Sequence, residues 1–298
     1  MPNSPLHSLV SSHHTLRKQA SPRPLDRLIG LTKRSRLPIA DDVQLGLRRR
    51  EFRAYLQPKF DLRTGQVSAV EVLARWRHPL RGVLGPANFI PLMEHEQWLD
   101  ALLFELMEQS LAYQLQLHRQ GLLLGLAFNL SPDQLMSGTL IERLEVRLRQ
   151  HPLPLSTLTF EITENGPDTV SGASIQQLKR LGGLGARLSI DDFGTGYSSL
   201  LRLCQVPISE IKLAGEFTRS LEHSGRYRAV IRNTLALANE LGVQLVVEGI
   251  ETEAQRDRLL EMGVQIGQGF LRARPMSIDT FESWIHDPYL DLCLCPAR

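Results

Sequence analysis

Six acidic or amide side chains close short apolar runs in this chain: Glu71, Asn129, Glu161, Asp191, Asp192 and Glu248. The runs span residues 67–73, 122–129, 158–161, 187–192 and 243–248. Each reads as a buried parallel strand that delivers a hard oxygen ligand at or near its end. Five carboxylates gathered on one rim would repel one another strongly. They stay ionised together only with cations among them. Oxygen-only donors favour magnesium or manganese over zinc. The pattern is that of a metal-dependent phosphoryl-transfer site.

Something must bring these ends together. Ordered structure is expected from near Ile39, with Asp41 and Asp42 capping a helix that runs through Arg50. Residues 52–60 read as a strand. Strand-like runs then end near Arg75, Asn129, Ile162, Asp191, Lys212, Glu248 and Ile266. Between them lie helical stretches at 99–117, 132–149, 175–181, 226–241 and 252–261. Ser131 precedes Pro132 as an N-cap, and Thr252 to Gln255 has the spacing of a capping box. Alternation of this kind argues an α/β protein with a parallel sheet covered by helices. Eight strands in roughly 250 residues fit a closed (β/α)8 barrel, whose active sites lie at the C-terminal strand ends. A doubly wound open sheet is the alternative, but no glycine-rich nucleotide fingerprint follows any strand.

Charge divides the chain. Residues 1–50 hold ten Lys/Arg against three Asp, whereas the remainder holds 24 basic and 29 acidic groups. Residues 1–40 therefore read as a basic tail, 41–290 as the barrel and 291–298 as a C-terminal tail. The basic tail suits an anionic or protein partner, or simple solvation. Its composition is like a transit peptide, but it lacks the apolar core of a secretory signal. The three cysteines, Cys204, Cys293 and Cys295, form no disulfide framework or zinc spacing. No apolar run approaches the ~20 residues of a membrane span. A reduced cytoplasmic protein is expected.

Seven segments in order now carry a resemblance: Glu71-Val-Leu73-Ala-Arg75-Trp, Phe128-Asn129-Leu-Ser131, Glu161-Ile-Thr-Glu164, Asp191-Asp192-Phe-Gly-Thr-Gly-Tyr-Ser198, Ile211-Lys212, Glu248-Gly-Ile-Glu251-Thr and Gln268-Gly-Phe. Over roughly residues 45–285 the chain resembles the EAL domain family, phosphodiesterases that open cyclic-di-GMP to linear pGpG. The resemblance implies a modified TIM barrel whose first strand, near residues 52–60, runs antiparallel to the rest. It implies two Mg2+ or Mn2+ ions, the first held by Glu71, Asn129, Glu161 and Asp191. The second would be held by Asp191, Asp192 and Glu248. Two such ions about 4 Å apart activate a water and stabilise a leaving oxygen. Lys212, Glu248 and Glu71 would carry the catalysis. Arg75, Leu73 and Gln268 would contact substrate, with Arg75 pairing a phosphate. Glu164 would anchor the glycine-rich loop after the paired aspartates, which in the family couples dimerisation to metal binding. A homodimer is therefore implied. Glu251 reads as a first-turn acid of the next helix.

The chain departs from the family in one place that bears on chemistry. Where the pattern is Lys-x-Asp, the run here is Lys212-Leu-Ala214, and Ser209 replaces another frequent Asp. Residues two apart on a strand share a face, so the absent carboxylate belongs beside Lys212 and the metal rim. No metal ligand is deleted, so weakened hydrolysis is expected. The alternatives are a catalytically weak or inactive cyclic-di-GMP receptor and a protein-interaction regulator.

Overall fold

The computed structural model describes residues 38–287 except 137, 164–171, 196–199 and 223, and the side chains at 200–202 are also undescribed. The chain enters through α1 (Ala40–Arg48). Ile39 is the N-cap residue, and Asp42 caps the helix from within its first turn by accepting a hydrogen bond from the Ile39 N–H at 3.3 Å. The helix stops before the expected Arg50, because Arg50 takes a left-handed φ of 53° to turn the chain into the sheet.

Strand β1 (Phe52–Asp61) pairs antiparallel with β2 (Val67–His78), from Phe52 opposite Trp76 to Lys59 opposite Ala69. A short hairpin strand, β3 (Gly82–Leu84), folds back on β2. Six more strands follow: β4 (Gly125–Leu130), β5 (Leu158–Thr163), β6 (Arg187–Phe193), β7 (Glu210–Leu213), β8 (Gln244–Val247) and β9 (Ile266–Gln268). From β2 through β4 to β9 all neighbours are parallel. β1 closes the ring by pairing antiparallel with both β2 and β9. The result is the eight-stranded α/β barrel with the reversed first strand that the resemblance implies. A two-residue strand, β10 (Met276–Ser277), adds to the outer edge of β1.

The helices that cover the barrel include α2 (Ile90–His95), α3 (Leu99–Arg119), α4 (Pro132–Met136), α5 (Gly138–Arg149), α6 (Gly172–Gly183), α7 (Leu200–Gln205), α8 (Gly215–Arg219), α9 (Gly225–Leu241), α10 (Glu253–Glu261) and α11 (Ile278–Ile285). The capping box holds: the Gln255 N–H donates to Thr252 Oγ1 at 3.2 Å, and the Thr252 N–H donates to Gln255 Oε1 at 3.1 Å. The expected helix over 132–149 is helical at Pro132–Met136 and at Gly138–Arg149, the described residues of that stretch. One expectation needs correction. Ile266 begins β9 instead of ending it, because Ile266, Gly267 and Gln268 are the residues that pair with β1.

Apolar side chains pack outside the barrel in two layers. One joins the outer faces of β1, β2, β4 and β5 to α3, α5, α6 and α11, with Phe52, Trp76, Phe128, Phe160 and Phe281 fully buried. The other joins β7 and β8 to α9 and α10 through Ile211, Leu245, Val247, Ile231 and Leu259. The interior is different. Lys59 of β1 bonds Glu161 of β5 at 2.7 Å and Glu210 of β7 at 2.6 Å. These strands are not neighbours in the sheet, so the ion pairs cross the barrel's axis. A barrel of this kind is ordinarily filled by branched apolar residues. Here charge fills part of it.

Candidate active site

The register of the parallel strands explains how residues far apart in sequence meet. Asn129 lies beside Glu161, Glu161 beside Ser189 and Ser189 beside Glu210. Asp191 and Lys212 each stand two residues further along their strands, on the same inward face. Glu248 follows the last residue of β8. Asn129, Glu161, Asp191, Lys212 and Glu248 therefore lie toward the C-terminal ends of their strands, where the sequence pattern placed them.

The adjacent pair Asp191-Asp192 poses a geometric problem, since successive strand residues face opposite ways. The backbone resolves it. Pairing between β6 and β7 shifts register between Ile190 and Phe193, and Asp192 adopts a φ of 54°. That left-handed conformation is unfavourable for a residue with a Cβ and is tolerated best by Asn and Asp. It turns Asp192 toward the same cluster as Asp191, and the Asp192 N–H donates to Asp191 Oδ1 at 3.0 Å.

Two oxygen-ligand groups result. Carboxylate oxygens of Glu71, Glu161 and Asp191 lie within 4.8 Å of one another, as do those of Asp191, Asp192 and Glu248. Asp191 belongs to both. Asn129 Nδ2 donates to Glu71 Oε1 at 2.9 Å, which leaves its amide oxygen available as a donor atom. Gln268 Nε2 donates to Glu71 Oε2 at 2.7 Å and to Gln57 Oε1 at 3.3 Å. All donors are hard oxygens, and the set fits magnesium or manganese.

Lys212 is 1% exposed at the centre. Its Nζ lies 3.3 Å from Glu71, 2.9 Å from Glu161, 2.9 Å from Asp191 and 2.8 Å from Glu248. Burial opposes its charge, but these four carboxylates raise its pKa well above that of a free lysine. One ammonium does not satisfy them all. Burial pushes Glu161 up to about 8 and Glu248 up to about 7, against the pull of Lys212. Burial works the same way on Glu71, yet Lys212 and the hydrogen bonds from Asn129 and Gln268 hold it at about 2. A group of buried acids that resists full ionisation is short of positive charge, which divalent cations supply.

Two clefts, of about 470 and 480 Å³, open at this rim and share Glu71, Leu73, Asp191 and Asp192. The first is walled by apolar groups, among them Ile90, Leu102, Leu106 and Phe128. The second is polar and includes Lys212, Ala214, Glu216, Arg219, Glu248, Glu251, Gln268 and Phe270. Leu73 lines both clefts and Gln268 the second. Arg75 shares the Glu71 and Leu73 face of β2, but its guanidinium donates to the Ala74 carbonyl at 2.8 Å and lies 5.7 Å from the Tyr55 ring centre. It lines neither cleft. Glu164 lies outside the described residues. Glu251 is not in the first turn of α10. It precedes the N-cap Thr252, and it faces the second cleft. Ala214 is likewise off the strand, as the N-cap of α8, and is 3% exposed.

Lys59, Glu210 and Gln57 were not singled out by sequence. A usable signal existed: Gln57 and Lys59 are two apart on one strand, as are Glu210 and Lys212, so each pair shares a face.

The pattern of the EAL domain family matches residues 40–275. The chain belongs to the EAL domain family. This EAL domain is 43% identical over 89% of its length to the cyclic di-GMP phosphodiesterase RocR of Pseudomonas aeruginosa, of which it covers 66%. It is 36% identical over 80% of its length to the bifunctional diguanylate cyclase/cyclic di-GMP phosphodiesterase MucR of the same species, covering 35% of that protein. The chain thus spans between about a third and two thirds of these curated relatives. Among solved structures, the PaMucR phosphodiesterase in complex with c-di-GMP superposes with a TM-score of 0.75 at 35% identity, covering 81% of this chain and 98% of that one. Among the described residues no helix is long and apolar enough to cross a membrane.

Proposed function

We propose that this EAL domain is a divalent-metal-dependent phosphodiesterase that hydrolyses cyclic-di-GMP to linear pGpG. The observation that carries the reading is the pair of oxygen-ligand groups sharing Asp191. Glu71, Asn129, Glu161 and Asp191 would hold one Mg2+ or Mn2+ ion, and Asp191, Asp192 and Glu248 the other. When bound, the ions supply an activated water and neutralise charge on the phosphodiester.

The chain's own groups do the rest. Lys212 keeps its proton, so it acts as a hydrogen-bond donor that orients the attacking water and balances charge at the phosphate. Glu71 is held in place by Asn129 and Gln268, and Glu248 closes the rim from β8. The apolar cleft beside Leu73 takes the flat face of a nucleobase and excludes water, while Arg75 swings from Tyr55 to a phosphate. One water is consumed, one P–O bond of the ring breaks, and the released oxygen takes a proton. Similarity to RocR, and to MucR with its c-di-GMP complex, supports the choice of substrate.

A second reading, a receptor that binds cyclic-di-GMP but scarcely cuts it, is favoured by Ala214. This residue lines the polar cleft with Lys212 and Glu248, where an aspartate would add a carboxylate. Losing a charge-tuning group of this kind costs about one to three decades of rate, or ~1–4 kcal/mol in barrier. The deciding experiment is a chromatographic assay of pGpG formation with Mg2+ or Mn2+, comparing wild type, Glu71→Ala and Ala214→Asp. Wild-type turnover above Glu71→Ala is expected, with a gain in Ala214→Asp. Silent wild type with active Ala214→Asp would establish the receptor reading, and silence in both would sink the enzyme.

We also propose a cytoplasmic homodimer whose basic segment, residues 1–40, meets an anionic or protein partner. A single species of monomer mass in sedimentation equilibrium would reject the dimer. Localisation of a tagged full chain outside the cytoplasm would reject the compartment.

A further inference from the structure

Resting on the metal-dependent reading above, we propose that Lys59, seated by Glu210, is a positioning residue that orients Glu161 so that a single carboxylate oxygen faces the metal rim. Glu161 is fully buried, and its two oxygens have different partners. Oε1 accepts from Lys59 Nζ at 2.7 Å, and Oε2 accepts from Lys212 Nζ at 2.9 Å. Lys59 in turn donates to Glu210 Oε1 at 2.6 Å. The three side chains form one line from the barrel interior to the rim. Lys59 and Glu210 are 2% and 3% exposed, so solvent does not compete for these bonds.

Stability alone does not explain this arrangement. Buried ion pairs are often matched or exceeded by apolar residues of similar volume, because desolvation cancels most of the attraction. A barrel interior is ordinarily apolar. What the charges provide that apolar groups cannot is direction. With Oε1 held by Lys59, only Oε2, the oxygen that meets Lys212, faces the rim. Groups behind a metal ligand that fix its orientation commonly matter tenfold to a hundredfold in metal affinity.

The strand that supplies Lys59 strengthens the inference. β1 contributes none of the six ligands, yet two of its inward residues stand behind ligands from other strands. Gln57 accepts from Gln268, which donates to Glu71. Lys59, two residues on, holds Glu161. The reversed strand thus serves as a support for ligands delivered by its parallel neighbours.

The test is Mn2+ affinity measured by titration calorimetry on the full chain. Lys59→Met is combined with Glu210→Gln so that Glu210 is not left as a buried carboxylate without its counter-ion, while Glu161 keeps Lys212. Wild type, Glu161→Gln, the Lys59→Met/Glu210→Gln pair and the triple variant complete a cycle. We expect the pair to weaken Mn2+ binding about tenfold or more, with a thermal midpoint close to wild type. In the Glu161→Gln background the same pair should change affinity by less than about threefold, because the residue it acts through is gone. Wild-type affinity in the paired variant overturns the proposal. So does an equal loss in both backgrounds, which would mean the effect bypasses Glu161. If the paired variant does not fold, Glu210→Gln alone carries the test, since it retains Lys59 but frees it from its seat. A loss confined to the background with Glu161 supports the role, and no loss overturns it. Absence of Mn2+ binding by wild type is a different result: it removes the metal-dependent reading itself.

Discussion

Lys212 shows how much of this site rests on single side chains. It touches four carboxylates at 2.8–3.3 Å with almost no solvent contact. Removing one partner of a buried charge cluster typically costs about 3–5 kcal/mol, because the remaining charges are stranded. Lys212→Met is therefore expected to melt well below wild type in a chelator and to recover much of the difference in Mn2+, while losing hydrolysis in both. Thermal denaturation with and without metal checks this. Coincident melting of the two proteins in chelator would show that Lys212 is not the counter-ion to the cluster. At this scale the sequence was informative. The ligand types, their order and Lys212 could be read because each closes an apolar run. Lys59 was legible only in part: it shares a strand face with Gln57, but the carboxylates it meets come from distant strands.

The strand ends are held together by elements that meet without side chains between them. Beyond β9, a Cβ on Gly269 would clash with the Ile250 backbone, its carbonyl oxygen first. The same two segments exchange a hydrogen bond from the Leu271 N–H to that oxygen at 2.9 Å. Gly269→Ala must push them apart, which displaces Gln268 and Glu248. A loss of about 3 kcal/mol in urea unfolding is expected, from overpacking. Gly183→Ala, with nothing within 4 Å, serves as the unaffected control. A second element-level feature lies between α3 and β1. Among the described residues Glu105 has one ion partner, Arg53 at 4.0 Å, and its Oε1 accepts no hydrogen bond. Burial pushes its carboxyl up to about 7. The folded state therefore holds this proton more tightly than the unfolded one. Stability is full below about pH 4.5, falls as pH rises to about 7 and then levels. With partial exposure allowed for, the loss is on the order of 1–2 kcal/mol. Glu161 and Glu248, also pushed up, add a fall of the same sign, so urea unfolding at pH 5 and pH 8 should show a smaller loss in Glu105→Gln than in wild type. An unchanged difference in the variant would assign the pH dependence to another group.

The whole molecule separates its two tasks in space. Apolar packing lies outside the strands, in two layers against the helices, and ion pairs run through the interior to the C-terminal rim. Saturating metal should therefore stabilise the entire barrel, since the ligands proposed for it come from β2, β4, β5, β6 and the end of β8. At a hundred times the dissociation constant, one site adds about 2.7 kcal/mol. For a domain of this size that is roughly 5–10 °C in thermal midpoint. Differential scanning calorimetry with Mn2+ and with chelator measures it. A midpoint that does not move would mean that the carboxylate rim does not bind the ion.

The sequence by itself determined the barrel and pointed to the acidic rim that the strand ends form. Strand periodicity is local, and a carboxylate at the end of an apolar run is visible without knowing its neighbours. Tertiary structure decided what depends on register and on residues from distant strands. Asp192 joins Asp191 only through a register shift and a left-handed backbone. Arg75 rests near Tyr55, and Glu251 faces a cleft instead of starting a helix. Lys59 meets Glu161 and Glu210 across the barrel, at separations of 102 and 151 residues. Closure of the sheet creates those contacts, and no local pattern encodes where a strand on the far side will stand.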